Sequence, residues 1–272
     1  MRAEPGSLKL FEYPDINPIA FSIGRLDVHW YGLMYVLGFA GCWLGLRHDA
    51  QRPRSPVSKA AVEDLVFFGA VGVFVGGRVG YMLFYNFAGL VDRPLSLFFV
   101  WEGGMSFHGG LLGVLVAMAV YSRLRGIGYF ALTDFIAPWI PQGLFFGRIG
   151  NFINGELWGA ETDVPWPIVF EGRARHPSQL YEALLEGVLL FVVLLLFSRR
   201  PRPLMAVSGL FLLLYGLFRI GIEFIRTPDN GVYLAWDWLT YGQVYSAPMV
   251  VAGIVLLALA YRRPPEPSVA TA

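Results

Sequence analysis

LYEALLEGVLLFVVLLLF, residues 180–197, is the stretch that decides the fold class. As a helix rising about 1.5 Å per residue it reaches about 27 Å, close to the ~30 Å of hydrocarbon that a transmembrane helix crosses. Six further stretches have similar length and character: roughly residues 28–46, 62–85, 96–121, 131–154, 205–226 and 243–261, with this one spanning 179–198. The chain is 56% hydrophobic and only 15% charged, with a mean hydropathy of +0.53. Soluble domains carry about 25% charged residues, so the balance belongs to a bilayer protein. The expected architecture is all-α: a polytopic integral membrane protein, one transmembrane domain over residues 1–272, with about seven helices around a polar cavity. The fifth and seventh stretches read as ordinary spans. The second, third and fourth carry much glycine and several ionisable groups, and read as interior helices.

Residues 1–24 lack the basic flank, compact apolar core and small-residue cleavage site of a secretory signal, and read as an interfacial segment. Connecting loops and tail on one side hold eleven lysines and arginines, from Arg47 to Arg263; the other side holds six, from Arg2 to Arg175. The positive-inside rule then puts the carboxyl terminus in the cytoplasm and, with seven spans, the amino terminus outside.

Four arginines fall inside or at the ends of spans: Arg78, Arg148, Arg219 and Arg226. Such a group costs about 3 kcal/mol at mid-membrane on insertion scales unless it finds a partner or water. GRIGNFINGELWG, residues 147–159, places Asn151 three residues after Arg148 on the same helix face, with Asn154 and Glu156 following where Gly155 and Gly159 end the helix. In the sixth stretch Tyr215, Arg219, Glu223 and Arg226 form one polar stripe. The two faces are expected to share a cavity for an anion, since guanidinium donates parallel hydrogen bonds to phosphate and stays charged. The competing reading pairs Arg219 with Glu223, and Arg148 with Glu156 or Asp134, solely to lock helices. Three arginines, two asparagines and a tyrosine exceed what such a lock needs.

WEGGMSFHGGLLG, residues 101–113, holds His108 beside Gly109, Gly110 and Gly113. A lone histidine in an apolar helix is usually a core residue, but these glycines leave room beside the imidazole for another helix or a ligand. Histidine is also the usual proton acceptor near neutrality. Cys42 is the only cysteine and sits in an apolar run, so the chain offers no thiol nucleophile or metal cluster. His29, His48 and His176 show no ligand spacing, and nucleotide-binding motifs are missing. No metal, cofactor or nucleic-acid partner is expected. Gly72, Gly76 and Gly80 form a small-residue ridge that packs helices, with Arg78 off the ridge.

GRIGNFINGELWG, preceded by HGGLLG and followed by HPSQLYE and FRIGIEFIR, closely resembles the prolipoprotein diacylglyceryl transferases over nearly the whole chain. The resemblance implies a bacterial inner-membrane enzyme that moves the diacylglyceryl group of phosphatidylglycerol to the lipobox cysteine of a preprolipoprotein, releasing glycerol 1-phosphate. The substrate then brings the missing thiol. It also implies catalytic roles for His108, Arg148 and Arg219, and substrate contacts from Tyr31, Asn151, Glu156, Tyr215, Glu223 and Arg226. The partners implied are phosphatidylglycerol, the signal peptide with its lipobox cysteine, and membrane lipids. In HPSQLYE, Ser178 reads as the N-cap of the fifth helix. Two rivals also want arginines facing a cavity: a transporter or flippase for anionic lipids, weakened by the lack of a detectable repeat, and a passive lipid-binding scaffold, which leaves His108 idle.

Overall fold

The computed structural model describes residues 11–53, 55–99, 103–228, 233–236 and 238–262. The first ten residues of the interfacial segment, with Arg2 and Lys9, lie outside them, as do Arg54, Trp101, Glu102 and Arg263. The chain forms two compact units: Met1–Gly41 with Ala137–Ala272, and Cys42–Ile136. Helix dominates both. Among the described residues five helices are long and apolar enough to cross a membrane: Lys59–Phe84, Phe107–Arg125, Ser178–Ser198, Ala206–Glu223 and Tyr241–Arg262.

In the second unit, helix α2 (Val62–Phe84) packs along helix α4 (Phe107–Arg125), with short helix α3 (Phe87–Asp92) and helix α5 (Tyr129–Ile136) beside them. Glycine permits this approach. A Cβ on Gly113 would overlap the Gly72 carbonyl oxygen and lie 2.8 Å from the Gly76 Cα, and one on Gly80 would lie 2.6 Å from the Gly109 Cα. The Gly72/Gly76/Gly80 ridge therefore meets Gly109 and Gly113, so the space beside His108 on that side belongs to a helix. Gly113→Val should destabilise the protein by about 1–3 kcal/mol through overpacking. A thermal midpoint in detergent that did not fall would show that the crossing opens without loss.

Arg78 is buried on α2 and donates from Nε to the Leu97 carbonyl (3.1 Å), from Nη2 to those of Ser96 and Phe99 (3.0 Å), and from Nη1 to those of Gly103 and Gly104 (3.2 Å). Its charge holds the loop ahead of α4. This loop replaces the first part of the expected 96–121 span. Pro94–Phe98 forms a 3₁₀ turn, Gly103 and Gly104 take φ of 77° and 82°, and α4 begins only at Phe107. Ser106 caps it, its Oγ accepting from the Gly109 amide (3.2 Å).

The first unit opens with strand β1 (Phe11–Glu12) and the hairpin β2 (Ile19–Ile23) and β3 (Leu26–His29), which turns at Gly24, φ 63°. Helix α1 (Trp30–Asp49) follows and continues into the second unit. Helix α6 (Ile140–Ile153) crosses the first part of α1 where a Cβ on Gly38 would lie 3.2 Å from the Gly143 Cα, and Gln142 Nε2 donates to the Gly38 carbonyl (3.1 Å). Strands β4 (Ile168–Phe170) and β5 (Arg173–Arg175) are antiparallel, with β1 parallel to β4. Then come α7 (Ser178–Glu182), a π-helical turn (Ala183–Leu189), α8 (Leu190–Ser198), α9 (Ala206–Glu223) and α10 (Tyr241–Arg262). Ala137, Leu190, Leu194, Val207 and Tyr215 form a buried core against Leu144, Leu214 and Met249.

Three further expectations change. The 131–154 span is not one helix: α5 ends at Ile136, a 3₁₀ turn covers Ala137–Trp139, and α6 starts afresh. Pro138 and Pro141 supply no backbone donors to a continuing helix, and at 14 residues α6 rises only about 21 Å. The 205–226 span ends at Glu223, leaving Arg226 beyond it. Ser178 is not an N-cap; it is the first residue of α7, after Pro177, and its Oγ donates to the Leu157 carbonyl (2.8 Å).

Candidate active site

Arg148 lies near the end of α6, where helix-forming residues give way to the left-handed Gly155 (φ 67°) and Leu157 (φ 62°). Its guanidinium is forked: Nη1 meets Glu182 Oε2 at 3.1 Å and Nη2 meets Glu186 Oε2 at 3.1 Å. The two carboxylates come from successive turns of α7 and the π segment, both fully buried. A Cβ on Gly187 would lie 2.6 Å from the Phe145 Cβ, so glycine there lets α6 approach closely enough for this fork. π turns are rare and recur at functional positions.

Arg219, on α9, reaches the other oxygen of the same carboxylate, Glu182 Oε1, through Nη1. Its Nη2 meets Glu223 Oε1 at 2.6 Å. Glu223 Oε1 also accepts from Arg226 Nη1 (3.1 Å), and its Oε2 accepts from Thr240 Oγ1. The result is an unbroken alternation: Glu186, Arg148, Glu182, Arg219, Glu223, Arg226. Only the arginines Arg148 and Arg219 keep appreciable access, 16% and 13% of their side chains, against 0–2% for the three glutamates. Tyr215, one turn before Arg219 and stacked on Phe211, lies within electrostatic reach of Glu186 and Arg148.

The other motif residues support this frame. Asn151 is buried and its Nδ2 donates to Glu156 Oε1 (2.8 Å), which Asn154 Nδ2 also approaches (3.5 Å). Gln179 Nε2 donates to the Glu156 carbonyl. Tyr31, on α1, neighbours Asn151 and Glu156, and a Cβ on Gly150 would lie 2.8 Å from its ring. Gly159 joins three motifs at one point: its amide donates to the His176 carbonyl (3.0 Å), and its backbone forms a bridge with Arg226. Burial pushes the His176 imidazole below its ordinary pKa, so it adds no cation at neutral pH.

The model of the prolipoprotein diacylglyceryl transferase family matches residues 18–259. The chain belongs to this family. It is 58% identical over 259 residues to the phosphatidylglycerol–prolipoprotein diacylglyceryl transferase of Methylococcus capsulatus, covering 93% of this chain and 99% of that protein. It is 51% identical over 270 residues to the protein of that name from Pseudomonas syringae pv. syringae, covering 97% and 100%. It is 54% identical over 258 residues to that from Pseudomonas aeruginosa, covering 93% and 97%.

In this family member, the first unit brings together Arg148, Arg219, Glu223, Arg226 and Tyr215, and beside them Tyr31, Asn151 and Glu156. His108 belongs to the second unit, on the exposed side of the first turn of α4, with the Phe107 ring edge-on to its imidazole (centroids 5.7 Å apart). The partners of Arg148 are Glu182 and Glu186; Glu156 is held by asparagines. In the sequence, 179–198 reads as an ordinary span, and its apolar run masks both glutamates. Two carboxylates four residues apart in an apolar span carry the same signal as a buried arginine.

Proposed function

We propose that the protein transfers the diacylglyceryl group of phosphatidylglycerol to the cysteine thiol of a lipobox, forming a thioether and releasing glycerol 1-phosphate. The names of the relatives support this reading. The observation that carries it is the convergence of Arg148 and Arg219 on the two oxygens of one carboxylate, Glu182. Two guanidinium groups spaced to share one two-oxygen anion are spaced to share a phosphate. Attack of sulfur on the glyceryl carbon expels a phosphate ester, and the charge that develops on its oxygens is stabilised by this pair. Glu223 orients Arg219 and Arg226; Tyr215 lines the anion seat; Tyr31, Asn151 and Glu156 contact substrate beside it. His108 receives or positions the thiol proton.

The protein works as one transmembrane domain in the bacterial inner membrane, its carboxyl terminus cytoplasmic and its amino terminus outside, in keeping with the excess of loop lysine and arginine. The test is covalent. Purified protein, phosphatidylglycerol and a lipobox peptide should yield a peptide heavier by one diacylglyceryl group, and the Cys→Ser peptide should stay unmodified. An unmodified peptide together with movement of anionic lipid between leaflets would replace this reading with the flippase.

A further inference from the structure

The alternating chain is formally neutral: Arg148, Arg219 and Arg226 stand against Glu182, Glu186 and Glu223. A phosphodiester entering between Arg148 and Arg219 adds one negative charge to an already balanced, mostly buried group. Uncompensated charge in such surroundings is costly. The three carboxylates are not equally placed to relieve it. Glu223 has two guanidinium groups and the Thr240 hydroxyl, and Glu182 has two guanidinium groups. Glu186 forms an ion pair with Arg148 alone, through Oε2, and its buried Oε1 has no hydrogen-bond partner; Glu182 Oε2 also lacks a hydrogen bond but lies 3.1 Å from Arg148 Nη1, so both oxygens of Glu182 face a guanidinium and only one of Glu186 does. Once a phosphate shares Arg148, Glu186 keeps the weakest compensation of the three.

We propose that Glu186 takes up a proton from water when an anionic headgroup binds the arginine pair, so that lipid binding is proton-coupled. The proton goes to a Glu186 carboxylate oxygen, converting it to a carboxylic acid, and total charge in the group is conserved. The groups facing Glu186 are Arg148 from α6, Glu182 from α7, and Tyr215 and Arg219 from α9; α8, Leu190–Ser198, carries no ionisable side chain. Of these, Glu182 is the only other carboxylate, and it bridges both arginines. Glu186 is thus a positioning residue that also balances charge. The inference rests on the reading of Arg148 and Arg219 as the headgroup seat.

The test uses the full chain in phosphatidylcholine nanodiscs, titrated with short-chain phosphatidylglycerol by calorimetry in buffers of different ionisation enthalpy. The wild type should take up about one proton per lipid above neutrality, with affinity weakening by up to tenfold per pH unit on the alkaline side. Glu186→Gln should bind at least as tightly at alkaline pH, with uptake near zero. Infrared difference spectra should show a protonated-carboxyl C=O band on lipid addition, unshifted in the charge-conserving Glu182→Asp, shifted in Glu186→Asp and absent in Glu186→Gln. Intact binding without proton uptake in the wild type, or full uptake in Glu186→Gln, would overturn the proposal. If Glu186→Gln fails to fold, the charge-conserving Glu182→Asp and Glu223→Asp decide: both must keep the uptake and leave the carboxyl band unshifted, and a shifted band in either assigns the proton elsewhere. Failure of the wild type to bind phosphatidylglycerol, or binding undiminished in Arg148→Gln, would instead overturn the headgroup seat itself.

Discussion

Arg148→Gln/Glu186→Gln should lose transfer by at least about 10²–10³, the scale of removing one preorganised donor to a developing anion, while remaining folded. The double change matters. Arg148→Gln alone leaves Glu186 buried without its cation, and stranding one member of a buried pair costs about 3–5 kcal/mol. Loss of activity in the single variant would then mix chemistry with folding. The double variant keeps the group formally neutral and Glu182 bridged to Arg219. Arg148→Lys should also fail, because one ammonium cannot hold the two carboxylates that Nη1 and Nη2 hold now. Turnover per folded molecule, from single-turnover assays on protein sized by gel filtration, checks this; near-normal turnover in the double variant would remove Arg148 from the chemistry. Arg219→Gln should behave similarly, with Glu223 still held by Arg226 and Thr240.

His108→Gln should lower the transfer rate by about 10²–10⁴, the usual contribution of a general acid or base, and leave phosphatidylglycerol binding unchanged. The competing role, a histidine that packs helices, fits its setting poorly: the α2–α4 contact is made by glycines, and His108 stands on the exposed side of the turn. Packing would show as a lower thermal midpoint with turnover per folded molecule intact. If raising the pH toward the thiol's own pKa restores the variant's rate, the imidazole acts as a base. If the rate stays low, it positions the thiol.

The apolar stretches made the helical membrane fold legible, because length and composition alone decide whether a helix can cross hydrocarbon. Boundaries were less legible where local chemistry overrode hydropathy. Pro138 and Pro141 broke a stretch that reads as apolar throughout, and Gly103, Gly104 and the Ser106 cap delayed the start of α4. The strands, of two to five residues, fall below what alternation can reveal. Within the site, residue spacing exposed the Tyr215–Arg219–Glu223 stripe because it lies along one helix. The fork at Arg148 was hidden because its acceptors come from another helix, and because the ten apolar residues after Glu186 and Gly187, Val188 to Phe197, dominate the reading of that stretch. Arg78 looked like its neighbours in sequence, and only its carbonyl partners show that it ties a loop.

The alternating charges also constrain how the protein is made. Ionisable side chains at the centre of a lone helix cost about 2.5–3.5 kcal/mol each on insertion scales. Glu182 and Glu186 leave the translocation machinery on a segment that has no arginine of its own, and their first cation, Arg148, is already present on the preceding α6. Arg219 arrives afterwards on α9, with Glu223 as its own companion one turn away. Biogenesis therefore favours a synthesis order in which α6 waits beside the translocon until the glutamates emerge, rather than one in which each helix partitions into lipid independently.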